Sequence, residues 1–208
     1  RFVSRPFEEI LTEANDLKKK GFEEISIISQ DTSIYGYDFP SHKPNIVDLL
    51  SKLEEIGFKS IRLLYLFPDE ISDELISLIK KSKSIAHYFD IPIQSGSDHV
   101  LKMMKRKGDS SCIKSIVKKI RQEIPDAILR TTLIAGFPGE TEKDHKNTLN
   151  LLREIEFNHA GAFAYSREEG TAAYYFKGQC RQSTKERRLN EIMKICKEIS
   201  YRKNKEIL

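Results

Sequence analysis

Ala127-Ile-Leu-Arg-Thr-Thr-Leu-Ile-Ala135 decides the reading of this 208-residue chain. As an extended segment it is largely apolar on both faces, the pattern of a strand inside a parallel sheet covered by helices. The run breaks at Gly136-Phe137-Pro138-Gly139-Glu140 and gives way to helical spacing over Thr141–Ile155. A further extended run, Ala160–Tyr165, follows. Strand, glycine-bearing turn, helix, strand is the parallel crossover unit.

The same alternation extends upstream. Glu24–Ser29, Ser60–Phe67 and Ile85–Ile93 read as strands. Pro6–Lys20, Asn45–Ile56, Ser72–Lys83, Asp98–Lys107 and Ser110–Glu123 read as helices. Gly21 and Gly57 stand just past two helix ends, and Pro6 opens the first helix. Pro92 cannot donate to a ladder and marks a bulge or the end of pairing in its strand. A helix over Ser183–Asn204 closes the chain; Ser183 and Glu186 have capping-box spacing, and Leu189, Ile192, Met193, Cys196 and Ile199 form an apolar stripe. Repeated strand–helix units predict an α/β fold, a parallel TIM-type (β/α) barrel or part-barrel. The opening helix has no strand before it, so the repeat reads as a fragment lacking its first strand. The division expected is a β/α body over 1–182 and a basic helix over 183–208 that leads to a further domain.

Composition narrows the class. Apolar residues make up 39% of the chain, enough for a packed core, and no apolar run approaches the ~20 residues of a membrane span. No secretory signal opens the sequence, and three scattered cysteines make no disulfide framework, so a cytoplasmic protein without membrane association is expected. Charge is uneven. From 177 onward there are 10 Lys/Arg against 4 Asp/Glu, and before it 25 against 27. A basic tail on a near-neutral body makes the last helix a candidate contact for RNA or a ribonucleoprotein, or simply a solvated face.

In parallel β/α folds the functional face is built by the loops after the strands. Here these loops hold Gln30-Asp31-Thr32, Tyr65 to Pro68, Gln94-Ser95-Gly96-Ser97, Gly136 to Glu140, and Tyr165 to Thr171. Amides, hydroxyls and glycines dominate, with neither a nucleophile–base pair nor a metal-ligand cluster. Such a rim suits holding a polar small molecule. Several members also have structural readings: Ser97 and Thr141 at N-cap positions, Asp31 and Asp38 as loop carboxylates, Gly139 and Gly170 as turn glycines. Arg130, among apolar neighbours, needs an anionic or carbonyl partner, as an ion pair or as a carboxylate clamp. His42, His87, His99, His145 and His159 lack ligand spacing, and no metal site is expected.

Taken together, the strings are more specific than any one of them. Ser29-Gln30-Asp31-Thr32, Arg62-Leu63-Leu64-Tyr65-Leu66-Phe67-Pro68, Asp90-Ile91-Pro92-Ile93-Gln94-Ser95-Gly96-Ser97-Asp98, Leu101-Lys102-Met103-Met104-Lys105-Arg106, Arg130 through Thr141, and Phe163 through Thr171 resemble, in the same order, the radical-SAM methylthiotransferases. Gln30-Asp31-Thr32 and Glu168-Glu169-Gly170-Thr171 resemble the branch that methylthiolates an aspartate of a small-subunit ribosomal protein. The branch acting on tRNA adenosine is the alternative. A non-catalytic β/α scaffold and a phosphate-binding barrel enzyme are alternatives of other classes.

The resemblance implies S-adenosylmethionine bound over the strand ends and 4Fe-4S clusters that cleave it to a deoxyadenosyl radical. It also implies a ribosomal protein or ribosome as partner. It places Gln30 toward the methionine end of the cofactor, Gln94 and Ser95 near the ribose, and Arg130 near the carboxylate or ribose. Gly136 and Tyr165 fall near the adenine, with Arg167 and Glu168 on the substrate side. The family's three-cysteine loop is not matched by Cys112, Cys180 or Cys196, so these 208 residues alone are expected not to run the reaction.

Overall fold

In this computed structural model, which describes residues 2–207, the expected alternation is present. The strands are β1 (Glu24–Ile27), β2 (Ser60–Leu63), β3 (Ile85–Asp90), β4 (Ile128–Ala135) and β5 (His159–Ala164). The helices are α1 (Phe7–Lys19), α2 (Ile46–Ile56), α3 (Asp73–Lys81), α4 (Asp98–Met103), α5 (Ser110–Glu123), α6 (Glu142–Ile155) and α7 (Gln182–Ile207). The chain forms two compact units, Arg1–Asp90 with Lys119–Ala127, and Ile91–Lys118 with Ile128–Leu208.

In the first unit β1 pairs with β2 and β2 with β3, both parallel. Leu49, Leu50 and Leu53 of α2, Ile61 and Leu63 of β2, Leu75 and Ile79 of α3 and Phe89 of β3 are almost wholly buried. Each such side chain contributes roughly 1.5–3 kcal/mol of transfer free energy. α2 begins with a capping box, in which the Asn45 side chain accepts from the backbone N–H of Val47 and Asp48 while Asp48 accepts from that of Asn45. An apolar groove of about 540 Å³ is lined by Phe2, Val3, Ala14, Leu17, Ile25 and Ile27, among others.

β2 is shorter than its apolar run. Pairing stops at Leu63 and Tyr65 takes φ 59, a left-handed conformation in which a strand cannot continue. Asp31 and Asp38 are loop carboxylates here. Asp31 accepts from the N–H and hydroxyl of Ser33, and Asp38 from the N–H of Ser4 at 2.9 Å.

In the second unit β4 and β5 run parallel from Arg130 opposite His159 to Ala135 opposite Ala164. Leu129, Thr131, Leu133 and Ala135 are buried, while Ile128, Arg130, Thr132 and Ile134 on the other face are half-exposed. The expectation that both faces are covered therefore holds for one. Pro92 acts as a ladder stop, since β3 ends at Asp90. Around it, Ile91 N–H donates to the Arg130 carbonyl at 2.9 Å and Gln94 N–H to the Thr132 carbonyl at 2.9 Å. Between them the Thr131 hydroxyl accepts from Ile93 N–H at 3.2 Å and donates to the Ile91 carbonyl at 2.8 Å. A side chain thus takes the place of regular pairing around the proline.

α7 packs on β4, β5 and α6. Its buried stripe contains Ile192, Cys196 and Ile199, as expected, with Ile195; Leu189 and Met193 are only half-buried. Ser183 lies inside the helix, and Glu186 accepts instead from the Gln182 amide at 2.9 Å.

Candidate functional site

The second unit carries most of the strand-end residues singled out above. Gln94 is its pivot. The residue sits at φ 66, a conformation a non-glycine residue adopts only when its surroundings hold it there. They do: besides its N–H bond to Thr132, its carbonyl accepts from Ile134 N–H at 2.9 Å, forming a parallel bridge to Leu133. Gln94, Ile134 and Phe137 line a cavity of about 420 Å³. Met103, Met104, Lys105 and Arg106 line it from the end of α4 onward, and Ala172, Ala173 and Phe176 from the segment after β5. The volume, the apolar walls and the few polar groups are those of a small-molecule site.

The turn after β4 is shaped by Glu140. Its carboxylate accepts Gly136 N–H at 2.5 Å and Phe137 N–H at 3.0 Å. Gly136 adopts φ 75, and a Cβ there would meet Lys185 Cγ at 2.5 Å. Glycine is needed on both counts. Burial pushes the Glu140 carboxyl above its ordinary range, against the pull of Arg188, the Gly136 and Phe137 N–H groups and His145.

Tyr165 N–H donates to the Ala135 carbonyl at 2.8 Å, so the chain after β5 starts beside the chain after β4. Its ring packs edge-on against Phe137, centroids 5.3 Å apart. Its hydroxyl is buried and has no hydrogen-bond partner among the described residues. A buried phenol normally finds a partner, so this one is suited to a polar ligand atom.

Other expected residues act locally. Ser95 is buried; its hydroxyl lies 3.3 Å from that of Thr148 and accepts Ser97 N–H at 3.2 Å, which braces the loop against α6. Ser97 makes no capping bond to α4; its hydroxyl donates to Asp144 of α6 at 2.6 Å. Arg167 and Glu168 hold their own loop. The Arg167 guanidinium donates to the Tyr174 carbonyl at 2.9 Å and lies over the Tyr174 ring, and Glu168 accepts from the Ser166 hydroxyl at 2.5 Å. They fix the segment that brings Ala172, Ala173 and Phe176 to the cavity. Arg130 stands half-exposed opposite His159 on the open face. Gln30 lies exposed in the loop after β1, in the first unit.

The cysteines do not fit a metal cluster. Cys112 is in α5, Cys180 lies beside Arg188, and Cys196 is buried in α7 with its thiol pushed up to about 11 by burial. Cluster ligation needs grouped thiolates, and among the described residues no group of three His, Cys, Asp or Glu is placed to hold a metal ion.

What no local pattern disclosed is the contribution of α7. Lys185 and Arg188 are buried although they lie in a basic helix, and both reach the loops just described.

Parallel strands, glycine-bearing strand-end turns and an open cavity bordered by the following loops define an α/β domain of the kind that can hold a small molecule at its strand ends. The Radical SAM superfamily model matches residues 1–152, and the chain belongs to that superfamily. Among curated relatives, ribosomal protein uS12 methylthiotransferase RimO of Alkaliphilus oremlandii is 46% identical over 96% of this chain and 45% of its own length. The proteins of the same name from Acetivibrio thermocellus (46% identical, 98% of this chain and 45% of the relative) and Geobacter sulfurreducens (42%, 100% and 46%) are similar. The chain thus spans about half the length of the curated relatives it matches.

Two solved structures share the fold. The radical S-adenosylmethionine methyltransferase TsrM from Kitasatospora setae, with cobalamin and a [4Fe-4S] cluster bound, matches at TM-score 0.59 and 12% identity, over 77% of this chain and 31% of that one. Elp3 from Methanocaldococcus infernus matches at TM-score 0.55 and 16% identity, over 92% of this chain and 49% of that one.

Proposed function

We propose that these residues are the S-adenosylmethionine-binding body of a methylthiotransferase of the RimO type, which places a methylthio group on an aspartate of ribosomal protein uS12. The observation that carries the reading is identity of 42–46% through nearly the whole chain to relatives that bear that name. The strand-end cavity supports it: Gln94 offers an amide and Ile134 and Phe137 an apolar wall to a nucleoside, and the Tyr165 ring, with its unpartnered phenol, packs against Phe137 beside it. Arg130 is the proposed contact for the cofactor's charged end. Bound S-adenosylmethionine supplies the adenosyl group and sulfonium. The residues here bind and orient it and exclude water around it. The 4Fe-4S ligands are not among the three cysteines of these 208 residues.

We place the ribosomal contact on the exposed side of α7. Arg202 and Lys203 pair with Glu156, whereas Lys194, Lys197 and Lys205 face solvent, Lys205 resting over the exposed Tyr201 ring at 4.6 Å. Cations interleaved with an aromatic suit RNA phosphates and bases. No helix among the described residues is long and apolar enough to cross a membrane, in keeping with action in the cytoplasm.

The test uses the full-length protein, reconstituted anaerobically with iron and sulfide and supplied with S-adenosylmethionine and reductant. Offered uS12 and tRNA separately, it should yield methylthio-aspartate on uS12 by mass spectrometry. Modified adenosine in tRNA, with uS12 untouched, would replace this reading by the tRNA-directed one.

A further inference from the structure

Beside the strand-end loops lies a buried cluster of charge that cofactor contact does not explain. The side chains of Glu140 and Arg188 are 5% and 4% exposed, and Arg188 Nη1 lies 3.6 Å from Glu140 Oε1. The same guanidinium donates to the Glu140 carbonyl at 3.0 Å and to Glu142 Oε1 at 2.8 Å. His145, also buried, lies 3.8 Å from Glu140 Oε1 through Nδ1 and 2.6 Å from Glu191 Oε2 through Nε2. One turn earlier on α7, Lys185 Nζ donates to the Tyr165 carbonyl at 2.8 Å and stands over the Tyr165 ring at 5.0 Å. Its Cγ occupies the space against which Gly136 is packed.

Two neighbouring turns of one helix therefore hold both loops. Arg188 acts through Glu140 on the backbone of Gly136 and Phe137, and Lys185 acts directly on Tyr165. Burying these ions costs desolvation, and a buried pair is weak evidence of a gain in stability. It does impose geometry, because the Arg188 donors are divided between acceptors on Glu140 and Glu142, and misplacement leaves a buried charge unpaired.

We propose that Lys185 and Arg188 are positioning residues for the nucleoside, setting the Gly136–Phe137 backbone and the Tyr165 segment that receive it. On this view α7 is part of the binding unit. The inference rests on the cofactor reading above.

The experiment titrates S-adenosylhomocysteine, which is unreactive and needs no cluster chemistry, into the wild-type protein and into K185M, R188M, R188K and K146M. Circular dichroism checks folding, and amide hydrogen exchange is read at Gly136 and Phe137. K185M and R188M should bind at least tenfold more weakly, R188K should fall between them and wild type, and K146M, an exposed site on α6, should match wild type. Exchange at Gly136 and Phe137 should quicken at least tenfold in R188M. If R188M does not fold, R188K and K185M carry the test, K185M through Tyr165 alone. Folded variants that bind as wild type does, with unchanged exchange, overturn the positioning role. A wild-type protein that does not bind the probe overturns the cofactor reading, and the inference with it.

Discussion

Ser97 donates its hydroxyl hydrogen to Asp144 across 2.6 Å, joining the loop after β3 to the first turn of α6. Asp144 is also the third residue of a capping box with Thr141, whose N–H and hydroxyl it accepts at 2.9 and 2.7 Å. His99 approaches its other face at 3.1 Å. One buried carboxylate thus sets the start of a helix and the exit of the Gln94 loop together. Replacing Asp144 by Ala should cost about 2–3 kcal/mol, from lost charged hydrogen bonds and a lost cap, and Ser97→Ala about 1–2 kcal/mol. Urea unfolding measures both. A loss below about 0.5 kcal/mol for Asp144→Ala would show the network to be incidental.

The same residue predicts acid sensitivity. Burial alone would raise the Asp144 carboxyl, but bonds from Ser97, Thr141 and His99 outweigh it and hold the group well below the carboxylate range. A depressed folded-state value contributes stability that is present above the unfolded value of about 3.9 and is lost as pH falls below it. Asp144→Asn should flatten the fall of stability with acid between about pH 5 and pH 2. Melting curves across that range check the slope, and parallel curves for variant and wild type would contradict the assignment.

Gly96 allows the loop after β3 to lie against α6. A Cβ at this position would stand 2.7 Å from Thr148 Cα and 2.9 Å from Leu151 Cβ, and backbone cannot step aside as a flexible side chain can. Gly96→Ala should destabilise by about 1–3 kcal/mol through overpacking and should widen the spacing of loop and helix. An unchanged denaturation midpoint would refute the close approach.

The cysteines should behave as isolated thiols. At pH 8, alkylation followed by mass spectrometry should find Cys112 modified first and Cys196 last, since burial pushes the Cys196 thiol up to about 11 and shields it. Burial raises the Cys180 thiol as well, which places it between them. Anaerobic treatment of the 208-residue chain with ferrous iron and sulfide should leave no protein-bound cluster absorbance. Stable absorbance lost in a Cys180→Ser variant would show a thiolate site where the structure has none.

Much of this was legible from periodicity and punctuation. The β4 run, the cap at Thr141 and the stop at Pro92 are local signals, and Thr141 is met by a local bond to Asp144. Distance along the chain hid the rest. Ser97 has the look of a cap, yet its partner lies 47 residues away, so spacing alone assigns it wrongly. Tyr65 and Gln94 carry no glycine to announce a left-handed backbone; tertiary bonds hold Gln94 there. Lys185 and Arg188 sit in a strongly basic helix, where counting charge predicts a solvated face. Only packing shows that two of those cations point inward. Arg167 and Glu168, expected on the substrate side, make bonds within their own loop that spacing did not foretell.

Methylthiolation of uS12 by the protein that carries these residues, as proposed above, is tested by the mass of uS12 isolated from cells with and without the gene. The expected result is a uS12 aspartate that carries the methylthio group in wild-type cells, is bare in the deletion, and is modified again when the gene is returned. Identical uS12 masses in both strains would contradict it.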